Sequence, residues 1–339
     1  MRPNRCWRLG DVQRGRVVDG YLLAIVGAIA LALLWPAPAV NGGLLHLDKV
    51  VLVGMGLIFF FHGAALAPQT LRSEAAKWRV HLLIQSITFV VFPLLAWLAY
   101  RATEPLFSQE ARMGLFFLGA VSTTISSSIA MTSVGRGNVS IAIFNATLSG
   151  LIGLFLTPFL MSLIRTVDAL EISLADAFAR ICTLLLLPFV AGQVMRPLIG
   201  RSLQAHKKKT SLFERSVIVL IVLNAFANAT AGGLWSHYDV ATLLQIGLAV
   251  VLLLAIVVGI TRFASRAMGL PRADEVAVVF CGSTKSLANG APIAQILFGA
   301  SAAGGLILLP LVLYHQFQLI VISMMARRYA ALAAEQVKH

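Results

Sequence analysis

FCGSTKSLANGAP, residues Phe280 to Pro292, lies between two apolar runs near the end of the chain. It places Lys285 at a depth where the surrounding hydropathy puts lipid. The chain has 339 residues, of which 58% are hydrophobic and 12% charged, and its mean hydropathy is +0.85. Soluble globular domains carry about 25% charged residues. Half that share, with apolar runs of bilayer-spanning length, describes an all-α polytopic membrane protein. A helix satisfies every backbone amide within its own segment, which lipid demands.

A spanning helix needs about 20 mostly apolar residues. On that measure ten spans are expected, near 17–36, 50–67, 80–100, 112–134, 139–163, 178–199, 214–234, 240–262, 276–299 and 303–326. The formal charge of +13 is spread over the short loops between them. That pattern belongs to cytoplasmic membrane loops and excludes a nucleic-acid partner. With the N-terminus inside, 21 of the 27 Lys and Arg are cytoplasmic, 5 are external, and Lys285 lies within a span. Both termini are therefore expected to be cytoplasmic, in a plasma (bacterial inner) membrane. The basic start reads as a tail and not a secretory signal, because a run of spanning length without a cleavage site follows it. His206–Lys209 (HKKK) reads as a solvated loop near anionic headgroups, and Pro68–Trp78 as a short interfacial helix. Cys6, Cys182 and Cys281 are isolated and the histidines scattered, which predicts neither disulfides nor a transition-metal site. The oligomeric state leaves no trace in the sequence.

Ten spans divide into five and five, so the second half crosses the membrane in the opposite sense, the arithmetic of an inverted repeat. The expected division is a tail at 1–16, repeats at 17–165 and 176–326, and a second tail at 327–339. The halves share a pattern. VSTTISSS (Val121–Ser128) in span 4 precedes ATLSGLIGLFLTPFL, from Ala146, in span 5. CGSTKSLAN (Cys281–Asn289) in span 9 precedes ASAAGGLILLPLVL, from Ala300.

Serine, threonine and asparagine compete with helical hydrogen bonds by bonding nearby backbone. Ser122, Thr123, Thr124, Ser126, Ser127 and Ser128 crowd the middle of span 4. Ser283, Thr284, Lys285, Ser286 and Asn289 do the same in span 9, with Gly290 and Pro292 weakening the helix further. Both spans are thus expected to be discontinuous, their unwound centres meeting at the midplane. Freed carbonyls and hydroxyls there can replace a cation's hydration shell, and half-helix N-termini attract anions. Such residues also serve simply as packing surfaces between membrane helices. Two clusters at equivalent places in two repeats favour a site. A charge at a helix centre costs about 2.5–3.5 kcal/mol even on a lenient scale. With no acid at the centre of any span, the partners expected for Lys285 are carbonyls, hydroxyls, water or an anionic substrate.

STTISSSIAMTSVGRGN (Ser122–Asn138), NATLSGLIGLFLTP (Asn145–Pro158), FCGSTKSLANGAP and LLPLVLYHQFQL (Leu308–Leu319) resemble the bile acid:sodium symporter (SBF-like) family. Within it, the chain is similar to the branch containing solute carrier family 10 member 7 and its bacterial homologues. The resemblance covers nearly the whole chain. It implies a panel and a core domain, with spans 4 and 9 crossing where both are unwound, sodium behind the crossing and an organic anion in front. Carried onto this sequence, it implies ion ligands at Ser127, Ser128 and Thr147, with Asn145 as a neighbour and Gln85 at a second ion place. Span 9 departs from the pattern, since sodium-coupled members keep a glutamate and a glutamine where this chain has VVFCGSTKSLA.

The expected function is secondary transport of a small organic anion, attracted by Lys285 and the half-helix N-termini. The coupling ion is sodium or the proton, with Lys285 and His315 as proton carriers in the second case, and no other cofactor is implied. One alternative is a regulator or scaffold that keeps the fold without transporting. The other, an intramembrane enzyme with a Ser286–Lys285 nucleophile, lacks a GxSxG elbow. Tyr314, His315 and Gln316 form a polar patch in span 10, His62 reads as structural, and Asn224 and Asn228, one turn apart, read as bonding to neighbouring helices.

Overall fold

The structure is a computed structural model and describes residues 20–66, 77–164, 174–299, 301 and 303–335. The tail at 1–16 and most of the expected interfacial segment Pro68–Trp78 lie outside these residues. Among the described residues, the regular elements are helices. They are α1 (Gly20–Leu34), α2 (Leu47–Ala65), α3 (Trp78–Ala102), α4 (Gln109–Ala120), α5 (Ser126–Val134) and α6 (Val139–Leu163). After a gap come α7 (Ala175–Ala205), α8 (Lys207–Ala231), α9 (Val240–Ala267), α10 (Arg272–Ser283), α11 (Leu287–Phe298) and α12 (Gly304–Glu335). Seven of them, α2, α3, α6, α7, α8, α9 and α12, are long and apolar enough to cross a bilayer. The chain is an integral membrane protein.

The segments expected as spans 4 and 9 are each two helices. The first break covers residues 121–125 and the second residues 284–286. Gly290 and Pro292, expected to help open span 9, lie instead inside α11. The break comes earlier because Ser286 caps α11, its Oγ accepting the Asn289 N–H at 3.1 Å. Gly290 serves packing, since a side chain there would press into Leu311 and Val121.

Two other boundaries moved. HKKK is not a loop, because α7 runs to Ala205 and α8 starts at Lys207, leaving His206 as the turn. The His206 N–H closes α7 on the Ser202 carbonyl at 3.0 Å, and its own carbonyl accepts from Lys209 at 2.9 Å to open α8. Lysine is a good helix former, so the charges are carried on the first turn. At the other end α12 continues past 326 to Glu335, through the helix-favouring run ALAAE.

The helices gather in two layers. α1, α2, α7 and α8 pack on one another, while α3 to α6 pack with α9 to α12. The layers meet along α8 and the start of α7. Helices associate in lipid through close van der Waals packing, which small residues permit. α2 and α7 show it twice, because a Cβ at Gly63 would strike the Phe189 carbonyl and one at Gly192 the Phe60 carbonyl. Gly192→Val is expected to lower stability by about 2 kcal/mol, the usual cost of overpacking. Thermal unfolding of the purified variant checks this, with Gly247→Val, which meets open space, as the neutral control.

Candidate functional site

The two breaks lie against each other and are stitched by hydrogen bonds. The Ser286 N–H donates to the Ser122 carbonyl at 2.8 Å, and Asn289 Nδ2 to Ser122 Oγ at 3.0 Å. The Thr284 hydroxyl lies 2.7 Å from both Thr123 Oγ1 and Ser128 Oγ, and donates to the Phe280 carbonyl at 2.8 Å. Ser149 of α6 accepts the Thr123 N–H at 3.0 Å. Ser283 turns back on its own helix, to the Val279 carbonyl at 2.6 Å. Buried backbone polar groups need partners, and hydroxyls supply them where the helices stop. This is why both breaks are rich in serine and threonine.

Lys285 lies between these strands of unwound backbone and is wholly buried. Its Nζ donates to the carbonyls of Gly119 and Val121, both at 2.7 Å, and of Thr88 at 3.0 Å. The Phe92 ring closes the fourth side, its centroid 4.1 Å away. Each carbonyl is free for a local reason. Gly119 lies in the last turn of α4, whose final carbonyls have no helical partner, and Val121 caps that end in the unwound break. Thr88 sits in a π turn (Ile87–Val91), where the Phe92 N–H bonds Ile87 instead. The next nitrogen is that of Pro93, which has no hydrogen to give. The negative end of the α4 dipole also points at the ammonium.

The backbone of Lys285 is held by Gln318 of α12, which accepts from its N–H at 2.7 Å and donates to its carbonyl at 2.8 Å. Tyr314 donates to the Ser283 carbonyl at 2.5 Å, and His315 Nδ1 lies 2.9 Å from Gln318 Nε2. The sequence pointed to Gln316, but Gln318 faces the break. Counting from Tyr314 by four would have found it, since residues i and i+4 share a helix face. Lys285 and Ser286 form no nucleophile pair: Nζ is engaged by carbonyls and Ser286 Oγ by its cap.

A cavity of about 540 Å³ opens between the layers. Its walls are apolar at Phe59, Ile125, Ile129, Leu151 and Phe189, and polar at Ser126, Thr147, Asn289, His62, Glu214 and Lys207. Ser126 is the first residue of α5, whose N-terminus has no side-chain cap. Ser127 donates to Thr124 Oγ1 at 3.2 Å, just behind. Lys285 and His315 do not line this cavity, so an anion in it would meet Lys207 and the α5 N-terminus. His62, read from sequence as structural, pairs with Glu214 on its wall at 3.4 Å. Glu214 opens span 7 in an ordinary basic context, and nothing local marked it. Gln85 and Asn145 do come together, Gln85 Nε2 donating to Asn145 Oδ1 at 3.2 Å beside His81. They form a polar knot between α3 and α6.

The opposite end of the layer boundary is closed. Asn41, in the turn after α1, donates through Nδ2 to the Gly299 carbonyl at 3.1 Å, and Gln295 Nε2 to Asn224 Oδ1 at 3.1 Å. Asn224 and Asn228 also donate to Asn41 Oδ1, each at 3.1 Å. The space beside them is about 10 Å³, scarcely room for one water. From Lys207 to Asn228 is about 30 Å along α8, at 1.5 Å per residue.

Residues 19–331 match the model of the SBF-like CPA transporter family. The chain is 39% identical over 312 residues to an uncharacterized protein of Pseudomonas aeruginosa, covering 92% of this chain and 93% of that one. To the Escherichia coli protein named "Putative symporter YfeH" it is 37% identical, covering 93% of each. To "Sodium/bile acid cotransporter 7" of Rattus norvegicus it is 29% identical, covering 89% of this chain and 90% of that one.

Proposed function

Because the chain belongs to the SBF-like CPA transporter family, we propose that it is a secondary transporter moving a small organic anion by alternating access. One observation carries the reading. Two helix breaks meet beside a cavity of about 540 Å³ that is open at one end, while side-chain hydrogen bonds close the other. The seven long helices, with α1 and the broken pairs α4/α5 and α10/α11, make ten spans. The first repeat is 17–165 and the second 176–326. In each, a broken pair precedes a helix with an internal proline, Pro158 in α6 and Pro310 in α12. α1, α2, α7 and α8 are the panel and the other helices the core. The open end bears Lys207 and lies on the cytoplasmic side with both termini, in the bacterial inner membrane, as the charge bias indicates.

The cavity walls suit an amphipathic anion, its charge at the α5 N-terminus and Lys207 and its apolar body against Phe59, Phe189 and Leu151. Sodium, the ion named for the rat relative, meets a poor fit at the crossing. The carbonyls of Thr88, Gly119 and Val121, which would hold a cation there, are already bound to Lys285.

Uptake of radiolabelled organic anions into proteoliposomes, with imposed sodium or proton gradients, tests the reading. Gly150 faces the cavity with only Asn289 Nδ2 near its Cβ direction, at 3.4 Å. Gly150→Phe is therefore expected to leave a folded protein and cut uptake about tenfold or more by filling the cavity. Undiminished uptake would place the path elsewhere. A protein that carries no anion under either gradient would be the scaffold, a role the fixed Lys285 could also suit.

A further inference from the structure

The carbonyl cluster around Lys285 has the form of a monovalent-cation site whose occupant is attached to the chain. Three oxygens converge on Nζ at 2.7, 2.7 and 3.0 Å, the range of charge-assisted N–H···O bonds. An ammonium has three hydrogens to give, whereas a neutral amine has two and a lone pair that would face the third oxygen. The face of Phe92 fills the remaining direction, as a ring does for a cation. Among the described residues, no carboxylate is in contact with Nζ. The acids nearest in sequence, Asp274 and Glu275, are bound to Lys77 and Asn138 and to Arg266 and Tyr329 respectively. The groups facing Nζ from α3 and the end of α4 are carbonyls and one aromatic ring. Lys285's own segment is tied down by Gln318, Tyr314 and His315 through its backbone. At such a helix end, half-helix carbonyls are what holds a free ion in broken-helix transporters.

We propose that the ammonium of Lys285 is a tethered surrogate for a coupling cation. It permanently occupies a monovalent-cation site made by Thr88, Gly119, Val121 and Phe92, so the protein works without binding free sodium. The site itself stands on geometry alone, and only its meaning for coupling rests on the transport reading. Since the cation never leaves the chain, anion movement is independent of a sodium gradient.

The test is chemical rescue. Lys285→Ala empties the site and leaves room for methylammonium, the severed end of the lost side chain. Lys285→Met removes the charge but keeps the space filled. The purified full-length proteins are compared by thermal unfolding in choline, sodium and methylammonium chlorides at equal ionic strength. Wild type is expected to unfold at the same temperature in all three. Lys285→Ala is expected to fall by roughly 4 °C in choline and to recover much of the loss in about 100 mM methylammonium, as ligand linkage requires. Lys285→Met is expected to fall and not recover. Failure of methylammonium to stabilise Lys285→Ala beyond its effect on Lys285→Met would overturn the proposal. So would stabilisation of wild type by sodium over choline, a comparison that decides alone if Lys285→Ala does not fold. Rescue without any anion uptake by wild type would sink the transport reading and leave the cation site standing.

Discussion

Exchange of Lys285 for methionine is expected to destabilise the protein by about 3 kcal/mol, the net of two opposed effects. Removing a buried charge relieves a cost of about 2.5–3.5 kcal/mol on the lenient insertion scale. It also strands three buried carbonyls, each worth about 1–3 kcal/mol when left without a partner. The stranded acceptors win because they converge. Gly119, Val121 and Thr88 point at one place, and without a cation their dipoles repel. Where a buried ion pair can often be replaced by apolar groups at no loss, the replacement takes out both partners. Here the partners are backbone and stay behind. The fall in unfolding temperature, roughly 4 °C for a chain of this length, should come with loss of anion uptake. A variant as stable as wild type would mean that the carbonyls find other donors.

Breaking the closed end is expected to favour the opposite conformation by about tenfold. The bonds joining the layers there are Asn41 Nδ2 to the Gly299 carbonyl and Gln295 Nε2 to Asn224 Oδ1. Each contributes about 1 kcal/mol net, and Asn41, being exposed, contributes less. Together they amount to about 1.4 kcal/mol, which is tenfold. In the double variant Asn41→Ala/Gln295→Ala, amides of 39–46 and 295–299 should exchange hydrogen for deuterium about tenfold faster, since exchange follows local opening. The amides of Phe59 to Phe61, beside the cavity, should be unchanged. Uniform acceleration throughout would indicate general loosening, and no acceleration would show that the layers are held elsewhere.

How far the molecule was legible in its sequence depended on whether a feature was local. Seven of the ten expected spans are long apolar helices, legible because burial in lipid writes itself into every residue of a helix. The breaks could be read because VSTTISSS and CGSTKSLAN put backbone-bonding side chains where a plain helix would put leucine. Even the partners of Lys285 were foreseeable as a class, since no acid stood at the centre of any span. What could not be read was which carbonyls they would be. Thr88 is available only because a π turn and Pro93 coincide 197 residues away in sequence, a pairing that no local pattern records. Glu214 opposite His62, set by how α2 packs on α8 within one layer, and Asn41 against Gly299, set by how the two layers meet, are likewise tertiary products. The starting residue of α11 depended on a single serine cap. Pro292 misled, because a proline six residues past that cap falls inside a helix already begun.

The central claim is that the cavity beside the two breaks is reached alternately from the two faces of the membrane. Thr147 lies on its wall, so the measurement is the reactivity of Thr147→Cys with a membrane-impermeant maleimide. The three native cysteines are replaced by alanine, and the reagent is added from either face, with and without Asn41→Ala/Gln295→Ala. Alternating access predicts labelling from both faces, and about tenfold faster labelling from the outer face once the asparagine contacts are removed. Labelling from the Lys207 face alone, unchanged in the double variant, would contradict it.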